Sequence, residues 1–581
     1  MIRAISLLVG LCVVLVSACA GNPNLQSAAG AAGSDPGVTQ EADDGEEQDY
    51  PVRAVPTQTL YALLAAETAG LRGDIDFALR SYLEQARLTG DPGVIARAVQ
   101  IAQYSGNEAA LGELGPLWAE HEPDNPQARE LAMLALLSQG KAQEALGHAV
   151  FLWEQGEGQA LRQLATQAAA LPAGQHAELM ASYDRLAHAH PDDADLVFGQ
   201  TLLRWQAGQL PEALAQSARL LKLQPDEPTS QLLHAQLLDE TGSKDKALAQ
   251  LEQAMRDHPD NSGLSRAYVR MVLNRHDSAF AVAKLEPLSH ANPDDNALHF
   301  GLALAYREAG RPDKARTEFE LLIPDPELRN EAHFYLGQLA EAAGDTTRAM
   351  LHYRQARGVA LLPATARLTS LMADKGELTA ARLYLQEQRT KHRDQAPTLF
   401  QIEAELLMRE HYYSSALELL TEGLGAFPGD VDLLYARSLA SEKLGDMPAV
   451  ERDLRAILAE DSDNAAALNA LGYTLTNHST RYEEAQALIE RALALQPNDA
   501  SIIDSLGWVL YRRGQSSEAL VQLRRAAALL SDPEVAAHLG EVLWTTGDAE
   551  QARAVWRDAL QRNPDDPLIK ETLDRLRAGP L

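Results

Sequence analysis

Cysteine is nearly absent from this 581-residue chain, and aromatic residues make up only 5% of it. The two cysteines, Cys12 and Cys19, both lie near the N-terminus. The rest of the chain can therefore form neither a disulfide framework nor a thiolate metal site. Few aromatics and abundant alanine favour helices that pack closely on one another.

Basic residues are outnumbered by acidic residues. The chain has 51 Lys and Arg against 82 Asp and Glu, which gives a net charge of −31. A surface that follows a phosphate backbone needs the opposite sign, so the composition argues against nucleic acid as a partner. The same charge keeps an extended molecule soluble.

No catalytic motif is present in the sequence. His121-Glu122 runs into Pro123 rather than completing H-E-x-x-H, and Gly140-Lys141 lacks the remainder of a Walker A loop. The sixteen histidines are scattered along the chain. The sequence therefore predicts no enzyme, no cofactor and no metal site.

A 34-residue pattern fills the C-terminal third of the chain. In the clearest copy, Leu468, Leu471, Gly472 and Leu475 fall at positions 4, 7, 8 and 11 of the unit, and Ala485, Ile489, Ala492 and Pro497 fall close to positions 20, 24, 27 and 32. The same frame returns at 503–526 and 539–564. Small residues let two helices approach closely, and the proline separates one unit from the next. These segments are identified as tetratricopeptide (TPR) repeats.

Regularly spaced prolines extend the pattern towards the N-terminus. Pro191, Pro225, Pro259 and Pro293 each lie 34 residues from the next. The pattern predicts an all-α fold, an α-solenoid of about fifteen TPR-like hairpins in a right-handed superhelix. We predict degenerate hairpins over 57–190, a central array over 191–461, the best-matching repeats over 462–566, and a capping helix and tail over 567–581.

The first eighteen residues resemble a bacterial signal peptide, with Arg3 followed by an apolar run too short to span a membrane. Val16-Ser17-Ala18-Cys19 resembles a lipobox. The resemblance implies cleavage before Cys19, lipidation of that cysteine, and attachment to the outer membrane facing the periplasm. The alternatives are a soluble periplasmic protein and an uncleaved anchor. Residues 19–56 are predicted to form a flexible acidic tether.

The first predicted helix, over 57–69, is apolar on more than one stripe. Its apolar side chains include Leu60, Tyr61, Leu63 and Leu64. Two interpretations are open for them. They pack on their own hairpin and the next one, or they form an exposed docking edge for a partner helix.

In TPR proteins, the first helix of each hairpin lines a concave face. Carrying those positions over from the family gives candidate partner-binding residues with aromatic, amide and charged side chains. They are Tyr435, Asn469, Tyr473, Asn477, Asp504, Trp508, Tyr511, Arg512 and Trp544, together with Glu442, Lys443 and Glu541. Such a set suits an extended or helical polypeptide. The alternative is that the aromatic rings pack between neighbouring helices.

Lipobox, acidic tether and repeat array together resemble the Pseudomonas-type TPR outer-membrane lipoproteins that partner a periplasmic carboxyl-terminal processing protease. The resemblance implies a non-catalytic adaptor that holds this serine protease and its substrates, among them peptidoglycan hydrolases. A second interpretation is a TPR assembly factor for outer-membrane secretion or exopolysaccharide export. An enzyme is the third.

Overall fold

The computed structural model describes residues 55–579, and that range is all-α, which confirms the predicted fold class. No strand occurs between residues 55 and 579. The described residues divide into two compact units, one ending at Ala305 and the other beginning at Tyr306. In each unit, helices follow one another as hairpins joined by short turns. Cys19 and the predicted tether lie outside the described residues.

The first unit contains fourteen helices and most of a fifteenth, α15, which runs across its C-terminal boundary. Their bounds are α1 Thr57–Leu71, α2 Ile75–Thr89, α3 Pro92–Ser105, α4 Glu108–His121, α5 Pro126–Ser138, α6 Ala142–Glu154, α7 Gln159–Gln167, α8 Ala173–Ala189, α9 Ala194–Gln206, α10 Leu210–Leu223, α11 Pro228–Glu240, α12 Lys244–Asp257, α13 Ser262–Leu273, α14 Ser278–Ala291 and α15 Asn296–Glu308.

The second unit continues in the same way to a last, unpaired helix. Its bounds are α16 Pro312–Leu321, α17 Arg329–Ala342, α18 Thr346–Tyr353, α19 Leu361–Asp374, α20 Leu378–Lys391, α21 Ala396–Arg409, α22 Tyr413–Ala426, α23 Val431–Lys443, α24 Met447–Glu460, α25 Ala465–His478, α26 Tyr482–Leu495, α27 Ala500–Arg512, α28 Ser516–Leu529, α29 Pro533–Thr545, α30 Ala549–Arg562 and α31 Pro567–Leu576. In chain order, helices α1 to α30 can be counted as fifteen successive twos, the number that the repeat predicts.

Polar side chains cap the N-termini of many of these helices. Asp499 accepts hydrogen bonds from the backbone N–H groups of Ser501 (2.9 Å) and Ile502 (3.0 Å) at the start of α27. Asn261 and Asp566 do the same for α13 and α31. Each cap satisfies N–H groups that have no partner inside the helix.

Glycine allows the tight turn between the two helices of a hairpin. Gly514 joins α27 to α28 with φ at 82°, and Gly376 joins α19 to α20 with φ at 79°. A side chain at this backbone conformation would be strained, whereas glycine adopts it freely.

Glycine at position 8 has a different purpose, which is close helix contact. A Cβ at Gly472 would lie 2.5 Å from the side chain of Ile489, and one at Gly507 would lie 2.6 Å from Leu523. In both pairs, the second helix of the hairpin occupies the space that a larger residue would need. The prediction that small residues allow the two helices to approach closely is confirmed.

The core runs along the array instead of collecting at one centre. In the first unit, one buried cluster follows α1 to α5 and another follows α5 to α11. In the second unit, a long cluster of leucine, isoleucine and alanine side chains extends from α23 to the end of α31. Each hairpin therefore buries its apolar surface against its sequence neighbours, as in other linear repeat proteins.

A recurring polar contact joins successive hairpins on top of this apolar packing. The hydroxyl of Tyr82 in α2 donates to Glu67 in α1 (2.7 Å), which also accepts from Arg97 in α3 (2.8 Å). In the second unit, Tyr353 in α18 donates to Glu341 in α17 (2.7 Å), and Arg367 in α19 pairs with the same carboxylate. One carboxylate thus links both helices of a hairpin to the next hairpin.

Candidate partner-binding face

The candidate binding residues lie on α23, α25, α27 and α29, the first helices of the last four hairpins. Helix α25 packs against α27, and α27 packs against α29, so these three helices form one continuous face, called here the first-helix face. Its side chains do not share one environment. Some are buried between the helices, and others are half exposed.

Trp508 lies inside the face and is only 7% exposed. Its indole N–H donates to the side-chain oxygen of Asn477 in α25 (2.8 Å). Its ring stacks on His538 in α29, with centroids 4.1 Å apart and planes 16° apart. Trp508 therefore connects three consecutive first helices, and this contact explains its presence without a partner protein.

Asp504, one turn before Trp508, is also buried and pairs with His538. Its Oδ2 lies 2.8 Å from the Nδ1 of His538, while its Oδ1 has no protein hydrogen-bond partner. Burial by itself would lower the pKa of His538, but the charge and hydrogen bond of Asp504 outweigh it and raise that pKa above its ordinary value. The pair is an ion pair between α27 and α29.

Tyr473 reaches across α27 from α25 to α29. Its hydroxyl donates to Glu534, which is 61 residues further along the chain. Burial and the neighbouring Glu534 carboxylate raise the pKa of the Tyr473 phenol. The ring also lies 6.2 Å from that of His538, between centroids. Tyr473 and Glu534 thus lie on the solvent side of the buried Trp508–His538 stack.

Two further candidates are partly used in packing. Tyr435 in α23 is half buried against the C-terminal cluster, and burial followed by the charge of Glu442 raises its pKa. Asn469 in α25 is half buried, and its side-chain oxygen has no protein partner. A buried acceptor of this kind needs a donor from water or from a bound polypeptide.

Tyr511, Arg512 and Trp544 are the candidates that keep part of their surface in solvent. Tyr511 lies 5.3 Å from Trp508 between ring centroids, and Arg512 donates to the Tyr482 hydroxyl (3.0 Å). The ring of Trp544 lies 6.0 Å from that of Trp556 between centroids, with the two planes tilted by 43°. These three supply aromatic area and a cation on adjacent helices.

Sequence reasoning missed His538 and Glu534, which complete the contacts of this face. Both lie on α29: Glu534 is at repeat position 2, which belongs to the family set but was not among the residues named from it, and His538 is at position 6, outside that set. Glu541, which does belong to it, accepts from Arg575 in α31 (2.9 Å) and is buried. His538, Glu534 and Glu541 each pair with a residue outside their own hairpin. A single sequence does not show which residues of different hairpins pair.

The predicted N-terminal edge divides into packed and exposed parts. Leu63 packs against the first buried cluster, as the first interpretation expects. Leu60, Tyr61 and Leu64 are exposed, with Tyr61 at 76%. Leu60 and Leu64 are four residues apart and lie on the same side of α1, so an apolar stripe remains uncovered in the described chain.

Neither a membrane span nor a metal cluster is found in the described region. Within residues 55–579, no helix combines the length and the apolar character of a transmembrane segment. The same residues hold no group of three or more His, Cys, Asp or Glu side chains placed to bind a metal ion.

Paired helices, position-8 glycines and first-helix contacts define a class of proteins built from tetratricopeptide repeats. The tetratricopeptide repeat family model matches residues 200–325 and 429–573. A TPR repeat-containing protein of Pseudomonas aeruginosa, PA4667, is 39% identical over 487 residues, which cover 83% of this chain and 82% of that protein. The chain belongs to this TPR family.

Shorter similarities involve the repeat region alone. The human protein O-mannosyl-transferase TMTC1 is 26% identical over 169 residues, 28% of this chain and 19% of that protein. A solved TPR protein of Thermus thermophilus is 22% identical with a TM-score of 0.28, and covers 30% of this chain and 95% of its own.

Proposed function

We propose that this TPR protein is a non-catalytic adaptor attached to the outer membrane through lipidated Cys19. It binds a periplasmic carboxyl-terminal processing serine protease together with the proteins that this protease cleaves. By holding both, it promotes proteolysis of peptidoglycan hydrolases. The lipobox resemblance and the membership of the TPR family, whose repeats bind other proteins, support this proposal.

The observation that carries the proposal is the half-exposed row of Tyr511, Arg512 and Trp544 on α27 and α29. Two rings and a guanidinium on adjacent rigid helices bury much area with little loss of side-chain freedom. The nearby Asn469 oxygen lacks a protein donor. A polypeptide backbone offers N–H groups of the required kind, which favours a protein ligand over a small molecule.

A second surface gives the adaptor a place for another partner. The stripe of Leu60, Tyr61 and Leu64 lies on α1 in the first unit, whereas the first-helix face belongs to the second unit. Two separate surfaces on one chain allow protease and substrate to be held together. Tethering of both raises the effective concentration of each for the other.

The polar groups of the first-helix face support binding over catalysis. The Asp504–His538 pair is buried beneath Trp508 and serves as a contact between helices. The hydroxyl of the adjacent Ser505 donates to the Ser501 carbonyl (2.9 Å), inside its own helix. Each of these groups has a structural partner, so we assign the face to recognition.

Affinity purification of the full-length tagged protein from detergent-solubilised envelopes tests the proposal. Wild-type protein is expected to retain a serine protease of the processing class and at least one peptidoglycan hydrolase. The Y511A/W544A and L60S/Y61S/L64S variants are each expected to lose one partner. The matched control is V521S, because Val521 is an apolar side chain 64% exposed on the second helix α28, and it should retain both.

Recovery of neither a protease nor a hydrolase by the wild type would refute the adaptor. Deletion of the gene gives an independent result. The adaptor predicts that hydrolase levels rise. Loss of polymer or protein export at unchanged hydrolase levels would instead favour the assembly factor. Hydrolysis of peptide or peptidoglycan by the purified protein alone would show an enzyme.

A further inference from the structure

Two histidines meet across the hairpin of α17 and α18 in the second unit. The Nδ1 atom of His333 lies 3.1 Å from the Nδ1 atom of His352, and the ring centroids are 5.4 Å apart. They are nineteen residues apart in the chain, so only the fold brings them together. This is a direct contact between two imidazole nitrogens, which serves no purpose in the proposed adaptor function.

Both rings are half buried and close to other cations. Burial lowers the pKa of His333, and His352 and Arg329 lower it further. Burial and Arg348 lower the pKa of His352, while Glu320 acts weakly in the opposite direction. Neutral imidazole is the form that ligates metals. With no metal, one Nδ1–H donates to the other Nδ1.

The separation of the two nitrogens is close to that of two ligands on one metal ion. With Zn–N bonds of about 2.0–2.1 Å in a tetrahedral arrangement, two imidazole nitrogens lie about 3.3 Å apart. The rings meet head on at 3.1 Å, and each must turn by about 35° to direct its lone pair at a common ion. Imidazole is a good ligand for zinc, copper and nickel.

The neighbouring arginines do not occupy the space between the rings. Arg329 donates to the carbonyl groups of Ile323 (2.7 Å) and Pro324 (3.1 Å), and Arg348 pairs with Asp345 at 3.6 Å. Their charge weakens the attraction for a cation without blocking it. A weaker, exchangeable site is therefore expected, in contrast to a closed structural one.

We propose that His333 and His352 chelate one divalent late first-row transition-metal ion, such as Zn²⁺, through their Nδ1 atoms. The hydrogen between the rings moves to the Nε2 atom of its own ring, so both imidazoles stay neutral ligands. Among residues 55–579, no third His, Cys, Asp or Glu joins them. Water, or a side chain of a bound protein, fills the remaining positions.

Zinc titration of the purified full-length protein in detergent tests the site, with isothermal calorimetry and equilibrium dialysis as readouts. We expect one Zn²⁺ per chain that H333Q and H352Q each bind at least tenfold more weakly. The control is H148Q, because His148 is equally buried, has a lowered pKa and also faces an arginine, Arg129 at 3.3 Å. It should bind zinc as the wild type does.

A second readout separates this site from unspecific binding. Because the ion would join α17 to α18, Zn²⁺ should raise the melting temperature of wild type and H148Q by a few degrees, and that of H333Q and H352Q not at all. Mg²⁺, which prefers oxygen ligands, should have no effect. Equal zinc binding by wild type and a correctly folded H333Q/H352Q variant would overturn the proposal, and so would no binding by either.

Discussion

The indole nitrogen of Trp556 in α30 occupies the space that a Cβ atom at Gly540 in α29 would need. Trp556 is fully buried. The pair is the last of a series in which a position-8 glycine receives a large side chain from the second helix of its own hairpin. Stability of the C-terminal hairpin therefore depends on the absence of one methyl group.

Gly540→Ala should destabilise the protein by about 1–3 kcal/mol, because the methyl group would force Trp556 out of its position. The loss can be measured by thermal and urea unfolding, with hydrogen exchange to locate it in α29 and α30. Gly147→Ala is the control, since Gly147 is exposed within α6 and nothing lies near its would-be Cβ. There alanine should stabilise by up to about 1 kcal/mol. Equal effects at both sites would contradict the packing argument.

A substitution at the buried Glu403 should also destabilise the protein. Its carboxylate is 2% exposed and bonds to Arg382 at 2.9 Å and Arg389 at 2.5 Å. Glu403→Gln leaves the Arg389 guanidinium without its counter-charge in a largely buried position, and should cost about 3–5 kcal/mol in urea unfolding. Glu387→Gln removes an exposed pair with Lys391 and should change nothing measurable. A small effect at Glu403 would show that solvent reaches this pair.

Acid sensitivity should come from two carboxylates with strongly lowered pKa values. The hydrogen bond from Arg97 lowers the pKa of Glu67 to about 2, and that from Arg481 does the same for Glu451. A lowered folded-state pKa gives stability that is complete above the ordinary value of 4.5 and is lost as the pH falls towards 2. Urea midpoints at pH 5 and pH 2.5 should therefore differ less in Glu451→Gln than in the wild type. An unchanged difference would contradict the assignment.

The Asp504–His538 pair should act in the opposite pH direction. The raised pKa of His538 means that its contribution to stability is complete below the ordinary value of 6.5 and is lost as the pH rises through the folded-state value. Histidine-labelled NMR should show His538 titrating above 6.5. In Asp504→Asn, burial still lowers the pKa and only the charges of Glu534 and Glu541 raise it, so the pKa should be lower than in the wild type. A pKa that Asp504→Asn leaves unchanged would exclude the carboxylate as its cause.

Features that depend on residues close in the chain could be predicted from the sequence. The close contacts of Gly472 and Gly507 lie where the repeat places them. Each requires a small residue for a local steric reason, which is the neighbouring helix of the same hairpin. The first helix was placed at 57–69 and ends instead at Leu71, a difference of two residues at a frayed end.

Partner-face residues were predicted less well, for a physical reason. Repeat position 9 gives both Tyr473 and Trp508 the same direction on their helices, but their surroundings differ. Trp508 is covered because His538 stacks on it from the next hairpin, and Tyr473 is drawn to Glu534 two hairpins away. The position in the repeat determines the direction of a side chain on its helix. It does not determine which residues of other helices contact that side chain.

The sequence by itself determined the all-α class, the number of hairpins and the places where helices turn, because periodic apolar residues, glycines and capping side chains act within one or two helical turns. Only the tertiary structure decided which polar and aromatic side chains contact other residues of the chain and which stay exposed to solvent. Trp508 and Asp504 are buried, Tyr511 and Trp544 keep a free surface, and His333 meets His352. Such pairings join residues on different helices, and the relative rotation of those helices is set only when their apolar faces pack together.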